Sequence, residues 1–335
     1  MGVQKHNRRE FLGKVAAGVA GASLGLSHSD SALARTGEMP TRVLGRHKEK
    51  VSLIGLGGFH LGKAADEATA IRVVRTAIDN GITFMDTCWD YQDGMSETWM
   101  GNALRDGYRK KIFLMTKLDG QTKESANKQI EDSLRRLQTD VIDLIQFHEI
   151  IRPGDPDRIF SAGGMEAVLA AKKAGKIRYI GFTGHKGPEF MVSMIETGKK
   201  HGFIFDSCQL PINLLDHHYK SFEKDVLPIL VKDGTAVLAM KTLAEGHIFK
   251  TNTVTAIEAH HYAMNLPVSV VVSGMETVER VEQSLASART FKPLDKKTVA
   301  ALLAKTAPHA ASGEFEPFKT SNMYDGTIHN PQWLG

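Results

Sequence analysis

Four side chains that can hold or transfer a proton lie at or just after the ends of apolar runs. They are Asp86, Tyr91, Lys117 and His148, and Tyr91 follows Asp86 in a polar loop. A lysine beside a phenol stabilises the phenolate and lowers the pKa of the tyrosine, while a carboxylate keeps that lysine protonated. Such a tyrosine donates a proton to a carbonyl oxygen, and a neighbouring histidine hydrogen-bonds the same oxygen. Together, the four residue types predict acid–base chemistry on a carbonyl compound.

Each of these residues has a structural interpretation when it is taken alone. Asp86 is compatible with a helix cap, and Tyr91 with loop packing. Lys117 is compatible with a solvated strand end, and His148 with a satisfied histidine at the rim of a barrel. Their order at consecutive strand ends favours the catalytic interpretation.

The elements that must position these residues alternate between two periodicities. Eight short runs rich in β-branched residues are separated mostly by segments with helical spacing, such as Ile71, Val74 and Ile78. Eight alternating units predict a single-domain α/β protein with a closed (β/α)8 barrel, the TIM barrel. In that fold, chemistry takes place at the C-terminal ends of the strands, which form the mouth of the barrel. The eight runs are 51–57, 82–86, 111–117, 141–148, 177–184, 203–209, 235–241 and 268–274.

An open dinucleotide-binding sheet is a weaker alternative. In GLGGFHLG, Gly55 and Gly57 fit the first two positions of the GxGxxG fingerprint, but the third falls on His60. The third glycine of that fingerprint allows a helix and a strand to pack closely. The imidazole of His60 at this position therefore disfavours an exported oxidoreductase with a Rossmann-type dinucleotide-binding fold.

Composition excludes several other classes of protein. The chain has 335 residues, 42% hydrophobic and 24% charged, which is ordinary for a soluble globular enzyme. A net charge of +4 without a long basic run indicates neither nucleic acid nor a membrane surface as partner. Cys88 and Cys208 are far apart and lack CxxC spacing, so no metal site and no disulfide framework are expected. One disulfide between them stays open, and two buried thiols are favoured.

Residues 1–34 are typical of an export signal. Arg8 and Arg9 precede Phe11 and Leu12, then a short apolar run ends in the small residues SALA. The paired arginines resemble a twin-arginine signal, which favours this interpretation over a chance basic N-terminus. The run is too short and glycine-rich to span a bilayer. We therefore expect a cytoplasmic precursor, export by the twin-arginine machinery to the periplasm or beyond, and an unanchored mature chain beginning near Arg35.

The sequence also resembles the aldo-keto reductase family. The similarity lies in DTCWDYQDGMSE, KIFLMTKL and DLIQFHE, and extends through TRVLGRHKEKVSLIGLGG and LRRLQTDVIDL over roughly residues 40–290. The resemblance implies a (β/α)8 barrel that binds NAD(P)(H) without a Rossmann fold. It also implies hydride transfer with Tyr91 as acid/base, supported by Asp86, Lys117 and His148.

The same resemblance implies a set of cofactor contacts. In GFTGH, Thr183 keeps the hydroxyl of the usual Ser-Asn pair, Gly184 replaces the asparagine, and His185 is a candidate substitute. Gln209 matches the glutamine that hydrogen-bonds the carboxamide, and Met240 takes the place of an aromatic residue that often stacks on nicotinamide.

At the adenosine end, Gly274 and Met275 replace a common Lys-Ser pair, while Arg280 matches the arginine that contacts the 2′-phosphate. NADP(H) is therefore favoured, NAD(H) stays open because the lysine is absent, and no metal is expected. The implied cofactor set is Gly57, Gly58, Asp86, Thr183, Gln209, Met240, Lys241, Leu243, Gly274, Arg280, Gln283 and Ser284.

We expect the barrel over residues 35–293 and a C-terminal extension over 294–335, packed on or near it. The extension contains no cysteine for the iron–sulfur module that some relatives carry; it either covers the mouth or forms loosely ordered surface. The leading functional hypothesis is NAD(P)(H)-dependent reduction of a small aldehyde or ketone, or the reverse oxidation. The alternative is a regulatory subunit that binds the cofactor and turns over little.

Overall fold

Eight parallel strands close into a barrel in a computed structural model that describes residues 37–335. The strands are β1 Thr41–Val43, β2 Lys50–Ser52, β3 Ile54–Gly57, β4 Phe84–Asp86, β5 Phe113–Leu118, β6 Ile142–Phe147, β7 Ile177–Thr183, β8 Ser207–Pro211, β9 Ala236–Met240 and β10 Val270–Gly274. Their order around the barrel is β10-β3-β4-β5-β6-β7-β8-β9. The predicted (β/α)8 barrel is confirmed.

Helices follow the strands, and the apolar residues of each helix recur on the face that packs against the barrel. In the helix Lys123–Leu137, Thr122 caps the first turn by accepting from Ser125 N, and Ile130, Leu134 and Leu137 pack on the barrel. Within residues 37–335 the helices are α1 Gly58–Leu61, α2 Glu67–Asp79, α3 Met95–Ala103, α4 Lys123–Leu137, α5 Asp155–Ser161, α6 Gly164–Lys173, α7 Pro188–Lys200, α8 Phe222–Asp225, α9 Leu227–Asp233, α10 Ala256–Asn265, α11 Val278–Thr290, α12 Lys296–Thr306, α13 Pro317–Thr320 and α14 Gly326–His329.

Two of the predicted strands differ from the structure more than the others. The run 51–57 divides, because β1 and β2 form an antiparallel hairpin before β3 begins. Leu44 and Val51 of this segment are buried against the lower barrel interior, where Phe84 and Phe113 stack at 5.5 Å. The run 203–209 becomes a strand only from Ser207. Phe205 is buried in the core and Phe203 packs against it without pairing in the sheet, whereas Ile204 is exposed.

The C-terminal extension packs on loops at the mouth. Phe318 is fully buried in a cluster that includes Leu215 after β8 and Ile248 after β9. Nearer the chain end, the carbonyl of Trp333 accepts from Gln129 Nε2 at 2.8 Å. The extension is therefore ordered structure over the strand ends.

The predicted export signal, residues 1–34, lies outside the described residues. In the part of the chain that is described, no helix combines the length and apolar character needed to cross a membrane. Cys88 and Cys208 are free and buried, as favoured from the sequence.

Candidate active site

The loop that carries Tyr91 is held in an uncommon conformation. Residues 92–94 all have left-handed backbone angles, with φ of 47°, 55° and 86°. Arg136 on α4 fixes this loop, because its Nη1 donates to the carbonyl of Trp89 at 2.8 Å and lies 3.2 Å from the buried carboxylate of Glu97. Left-handed non-glycine residues cost free energy and persist where the surroundings hold them. The loop thus directs Tyr91 towards the end of β5.

Lys117 connects the predicted catalytic residues. Its ammonium forms an ion pair with Asp86 and donates to the Thr87 carbonyl at 2.9 Å and to the Tyr91 hydroxyl at 3.2 Å. The Lys117 side chain is only 1% exposed. The His148 ring stands edge-on to the Tyr91 ring, with 5.8 Å between centroids. The structure therefore brings all four predicted residues together at one point of the mouth.

From the sequence we expected Lys117 to lower the pKa of Tyr91, but the net shift in this structure is upward. Burial raises the pKa of Tyr91 well above its ordinary value, and the nearby Asp86 carboxylate raises it further. The Lys117 charge is paired with Asp86, so the phenol lies beside a nearly neutral ion pair in a poorly solvated place. Tyr91 is therefore a protonated acid at neutral pH.

His148 has neighbours that the sequence analysis did not select. Its Nδ1 lies 3.0 Å from Asp119 Oδ1, 3.3 Å from Cys88 Sγ and 3.6 Å from Asp90 Oδ1. Burial raises the pKa of Asp90 to about 7, and the Asp119 carboxylate adds to this shift. All three neighbours lie within four residues after a strand end. Inspecting every polar residue in those positions would have found them.

Gln209 and the glycines after β3 offer features that fit a nicotinamide. Gln209 Nε2 donates to Asp86 Oδ2 at 3.2 Å, while its buried Oε1 has no hydrogen-bond partner within residues 37–335. That oxygen is free to accept from a carboxamide. Gly58 has no room for a side chain, because a Cβ there would come within 2.5 Å of the Asp86 carbonyl oxygen and 2.9 Å of Ser96 Oγ.

The segment after β7 departs from the implied contacts. Thr183 is buried at the end of β7. A Cβ on Gly184 would come within 2.5 Å of the Ile150 carbonyl oxygen, which is fixed backbone, so no asparagine fits there. His185, the candidate substitute, is buried and its Nε2 lies 2.9 Å from Asp325 Oδ1 of the extension. His185 therefore contacts the C-terminal extension through Nε2.

The loop after β9 is internally neutralised. Met240 ends β9 half-buried, and Leu243 packs against the extension cluster. Lys241 Nζ lies 2.8 Å from Glu245 Oε1 and 5.3 Å from the centre of the Tyr324 ring. The Lys241 charge lowers the pKa of Glu245 to about 2. This lysine therefore offers a paired charge, not a free one, to a cofactor.

Gly274 and His60, two departures noted in the sequence, depend on each other. The imidazole of His60 lies where a Cβ on Gly274 would be. A lysine at 274 would require His60 to move, so the usual Lys-Ser pair is incompatible with this packing.

The adenosine-end residues lie on α11. Arg280 Nη1 donates to Gln283 Oε1 at 2.7 Å, and its Nε lies 3.8 Å from Glu276. Ser284 Oγ is buried and donates to Ser273 Oγ at 3.3 Å. Arg280 is half-exposed, so its guanidinium is accessible but shares its charge with a carboxylate.

This combination of barrel and site agrees with comparisons to known proteins. The aldo/keto reductase family profile matches residues 53–258. The chain is similar to the uncharacterized oxidoreductase YrpG of Bacillus subtilis, with 32% identity over 61% of this chain and 66% of that protein. It also resembles L-galactose dehydrogenase of Arabidopsis thaliana, with 28% identity over 80% of this chain and 94% of that enzyme.

A solved structure supports the fold independently. The holo form of aldo-keto reductase AKR11C1 from Bacillus halodurans aligns with a TM-score of 0.70 and 23% identity, covering 83% of this chain and all of that one.

The chain spans just under two thirds of YrpG, and the match to YhdN of Bacillus subtilis covers 60% of that protein. The chain belongs to the aldo/keto reductase family.

Proposed function

We propose that the protein is an NAD(P)(H)-dependent oxidoreductase that reduces an aldehyde or ketone to an alcohol, or oxidises the alcohol in reverse. The observation that carries the proposal is the buried Lys117 ammonium between Asp86 and the Tyr91 hydroxyl, with His148 beside the phenol ring. Family membership supports the reaction class, and the acid/base mechanism is our inference from the geometry.

Reduction adds a hydride to the carbonyl carbon and a proton to its oxygen, and the bound nicotinamide supplies the hydride. Tyr91, protonated at neutral pH, donates the proton to the oxygen. Lys117 then stabilises the phenolate that remains, and Asp86 keeps Lys117 charged and in place. His148 orients the carbonyl by hydrogen bonding. A positioned acid of this kind contributes on the order of 10²–10⁴ in rate.

The cofactor proposal rests on fewer contacts. Gln209 would accept from the carboxamide through its unpartnered Oε1, and the backbone at Gly57 and Gly58 would lie against the cofactor. Arg280 favours NADP(H), since a guanidinium pairs with a phosphate in a bidentate way. Glu276 weakens this preference because it shares the Arg280 charge.

We also propose export through the twin-arginine machinery, on the evidence of Arg8, Arg9 and the SALA site. Replacing both arginines with lysine should leave the precursor in the cytoplasm, which fractionation and immunoblotting would measure. Unchanged export would remove this proposal.

The catalytic proposal is tested by Tyr91→Phe, which keeps the ring and removes the hydroxyl. The assay follows turnover of a panel of aldehydes and ketones, and the reduction of NAD(P)+ with L-galactose. The rate should fall by about 10²–10⁴-fold in Tyr91→Phe, while the affinity for the cofactor is retained. Tyr108→Phe is the matched control, because the Tyr108 hydroxyl donates only to Asp79 at the surface. Near-full activity of Tyr91→Phe would exclude the acid role. Tight cofactor binding without turnover of any carbonyl by the unmodified protein would favour a regulatory subunit.

A further inference from the structure

Four side chains with metal-ligating atoms lie together at the mouth of the barrel. They are Cys88, Asp90, Asp119 and His148, and their ligand atoms all lie within 4.8 Å of one another. Cys88 and Asp90 belong to the loop after β4, Asp119 follows β5, and His148 follows β6. Three neighbouring strands therefore deliver one thiol, two carboxylates and one imidazole to the same point.

We propose that these four side chains bind one zinc ion, with His148 coordinating through Nδ1. Zinc binds four ligands in a tetrahedron, with bonds of about 2.0–2.3 Å to nitrogen, oxygen and sulfur. Ligand atoms around one zinc ion are therefore about 3.3–3.8 Å apart. The distances from His148 Nδ1 are 3.0 Å to Asp119, 3.3 Å to Cys88 and 3.6 Å to Asp90. Shifts of about 1 Å or less bring the remaining pairs into range.

Two carboxylate oxygens of this cluster lack a hydrogen-bond donor in the described part of the chain. Within residues 37–335, the buried atoms Asp90 Oδ1 and Asp119 Oδ2 have no hydrogen-bond partner, and the Asp119 side chain is 0% exposed. A buried carboxylate oxygen without a partner costs free energy, which a cation would offset. These two unpartnered oxygens agree with a positively charged ligand at this point.

Neighbouring charges do not supply that cation. Lys117 is paired with Asp86, and Glu149, the next carboxylate, accepts from the backbone of Gly326 and Thr327. Arg152 forms an ion pair with Asp155 at 3.3 Å and donates to Thr327 Oγ1 at 2.8 Å. The cluster is thus surrounded by cations that already have carboxylate partners.

A metal at Nδ1 has a consequence for the imidazole. A neutral histidine that gives its Nδ1 lone pair to a metal carries its proton on Nε2, so the outer nitrogen is a hydrogen-bond donor. Without the metal, a carboxylate at Nδ1 would instead favour the proton there. The zinc ion would therefore fix the tautomer as well as the ring orientation.

This proposal departs from the sequence expectation of no metal. That expectation relied on the absence of closely spaced cysteine pairs, whereas these ligands come from segments separated by up to 60 residues. The proposal does not depend on carbonyl reduction, and its test uses no turnover.

The experiment is a titration of purified, EDTA-treated protein with Zn²⁺ alone, followed by calorimetry and elemental analysis. We expect one ion per chain. With Co²⁺ as a probe, the spectrum should show tetrahedral d–d bands and a thiolate-to-cobalt band in the near ultraviolet. Asp119→Asn should weaken zinc binding by more than roughly 100-fold. This loss exceeds the one expected when only a residue that hydrogen-bonds a metal ligand is replaced.

Cys88→Ala should abolish the thiolate band, whereas Cys208→Ala, which removes the other buried thiol, should keep both the band and the affinity. Circular dichroism checks that each variant is folded. Failure of the unmodified protein to bind zinc at micromolar concentration would overturn the proposal. So would equal binding by the Cys88→Ala/Asp119→Asn double variant, because zinc would then occupy surface histidines.

Discussion

Two buried lysines form similar clusters in different regions of the protein. Lys117 at the barrel mouth pairs with Asp86, and Lys319 in the extension lies 2.6 Å from Asp216 Oδ1. Both side chains are almost inaccessible to water, at 1% and 0% exposure. Each also donates to a backbone carbonyl, that of Thr87 or that of Tyr219. Only the third partner of each ammonium differs.

The third partner determines what each cluster can do. For Lys117 it is the Tyr91 hydroxyl, which can exchange a proton with a carbonyl compound. For Lys319 it is the Glu316 carboxylate at 3.0 Å, which completes a closed network between the extension and the loop after β8. Burial is common to both lysines, so the catalytic role that we propose for Lys117 depends on the acid that it holds.

Removing the two ammonium groups should separate these roles. Lys117→Met should lower the turnover of a carbonyl substrate on the order of 10²–10⁴-fold, because the phenolate loses its stabilising charge. Lys319→Met should leave the rate per folded molecule within about twofold, an effect too small to reflect lost chemistry. Steady-state kinetics at a temperature where both variants are folded provides the measurement. Equal rate losses in the two variants would refute the distinction.

The stability of the extension depends on Lys319. Lys319→Met leaves Asp216 buried without its cation, and losing one partner of a buried ion pair costs about 3–5 kcal/mol. Urea denaturation should therefore show a decrease of this size in the free energy of unfolding. Lys297→Met, at an exposed position of α12, is the control and should change it by less than about 0.5 kcal/mol. A small effect of Lys319→Met would mean that the network is not a structural anchor.

The Lys319 cluster should also make stability depend on pH. Burial raises the pKa of Glu316 from 4.5 to about 7, and the Asp216 charge adds to burial while Lys319 opposes it. The folded state therefore binds more protons than the unfolded state between these values, so stability falls as pH rises from 4.5 to about 7. The loss should be up to about 3 kcal/mol, and Glu316→Gln should remove it. Urea denaturation at pH 5 and pH 8 tests this, and an unchanged pH slope in Glu316→Gln would refute it.

An exposed cation should give the smallest effect. Arg280→Ala should weaken NADP(H) binding by about tenfold and NAD(H) binding very little, because solvent screens the half-exposed guanidinium. Glu276→Gln should tighten NADP(H) by removing the competing carboxylate. Fluorescence titration with both cofactors measures the difference. Equal weakening of both would show that Arg280 does not contact the 2′-phosphate.

The strand order and the mouth residues could be predicted because they depend on local patterns. Alternating apolar runs and helical periodicity predicted eight units, and the carboxyl ends of parallel strands meet by geometry. The exact start of β8 could not be predicted, since Phe203 and Phe205 read as strand residues but pack edge-on in the core at 5.1 Å. Apolar patterning reports burial, and burial does not distinguish a strand from a packed loop.

The amino-acid sequence by itself determined the barrel and the residues Asp86, Tyr91, Lys117 and His148 at its mouth, because these depend on chain order and side-chain type. Only the tertiary structure decided how those groups behave. It buried Tyr91 beside the Asp86 carboxylate, so that the pKa of Tyr91 rises, and it placed Asp119 and Cys88 against His148. The physical reason is that charge, solvation and ligand geometry depend on distances between segments far apart in the chain, and local sequence patterns do not contain those distances.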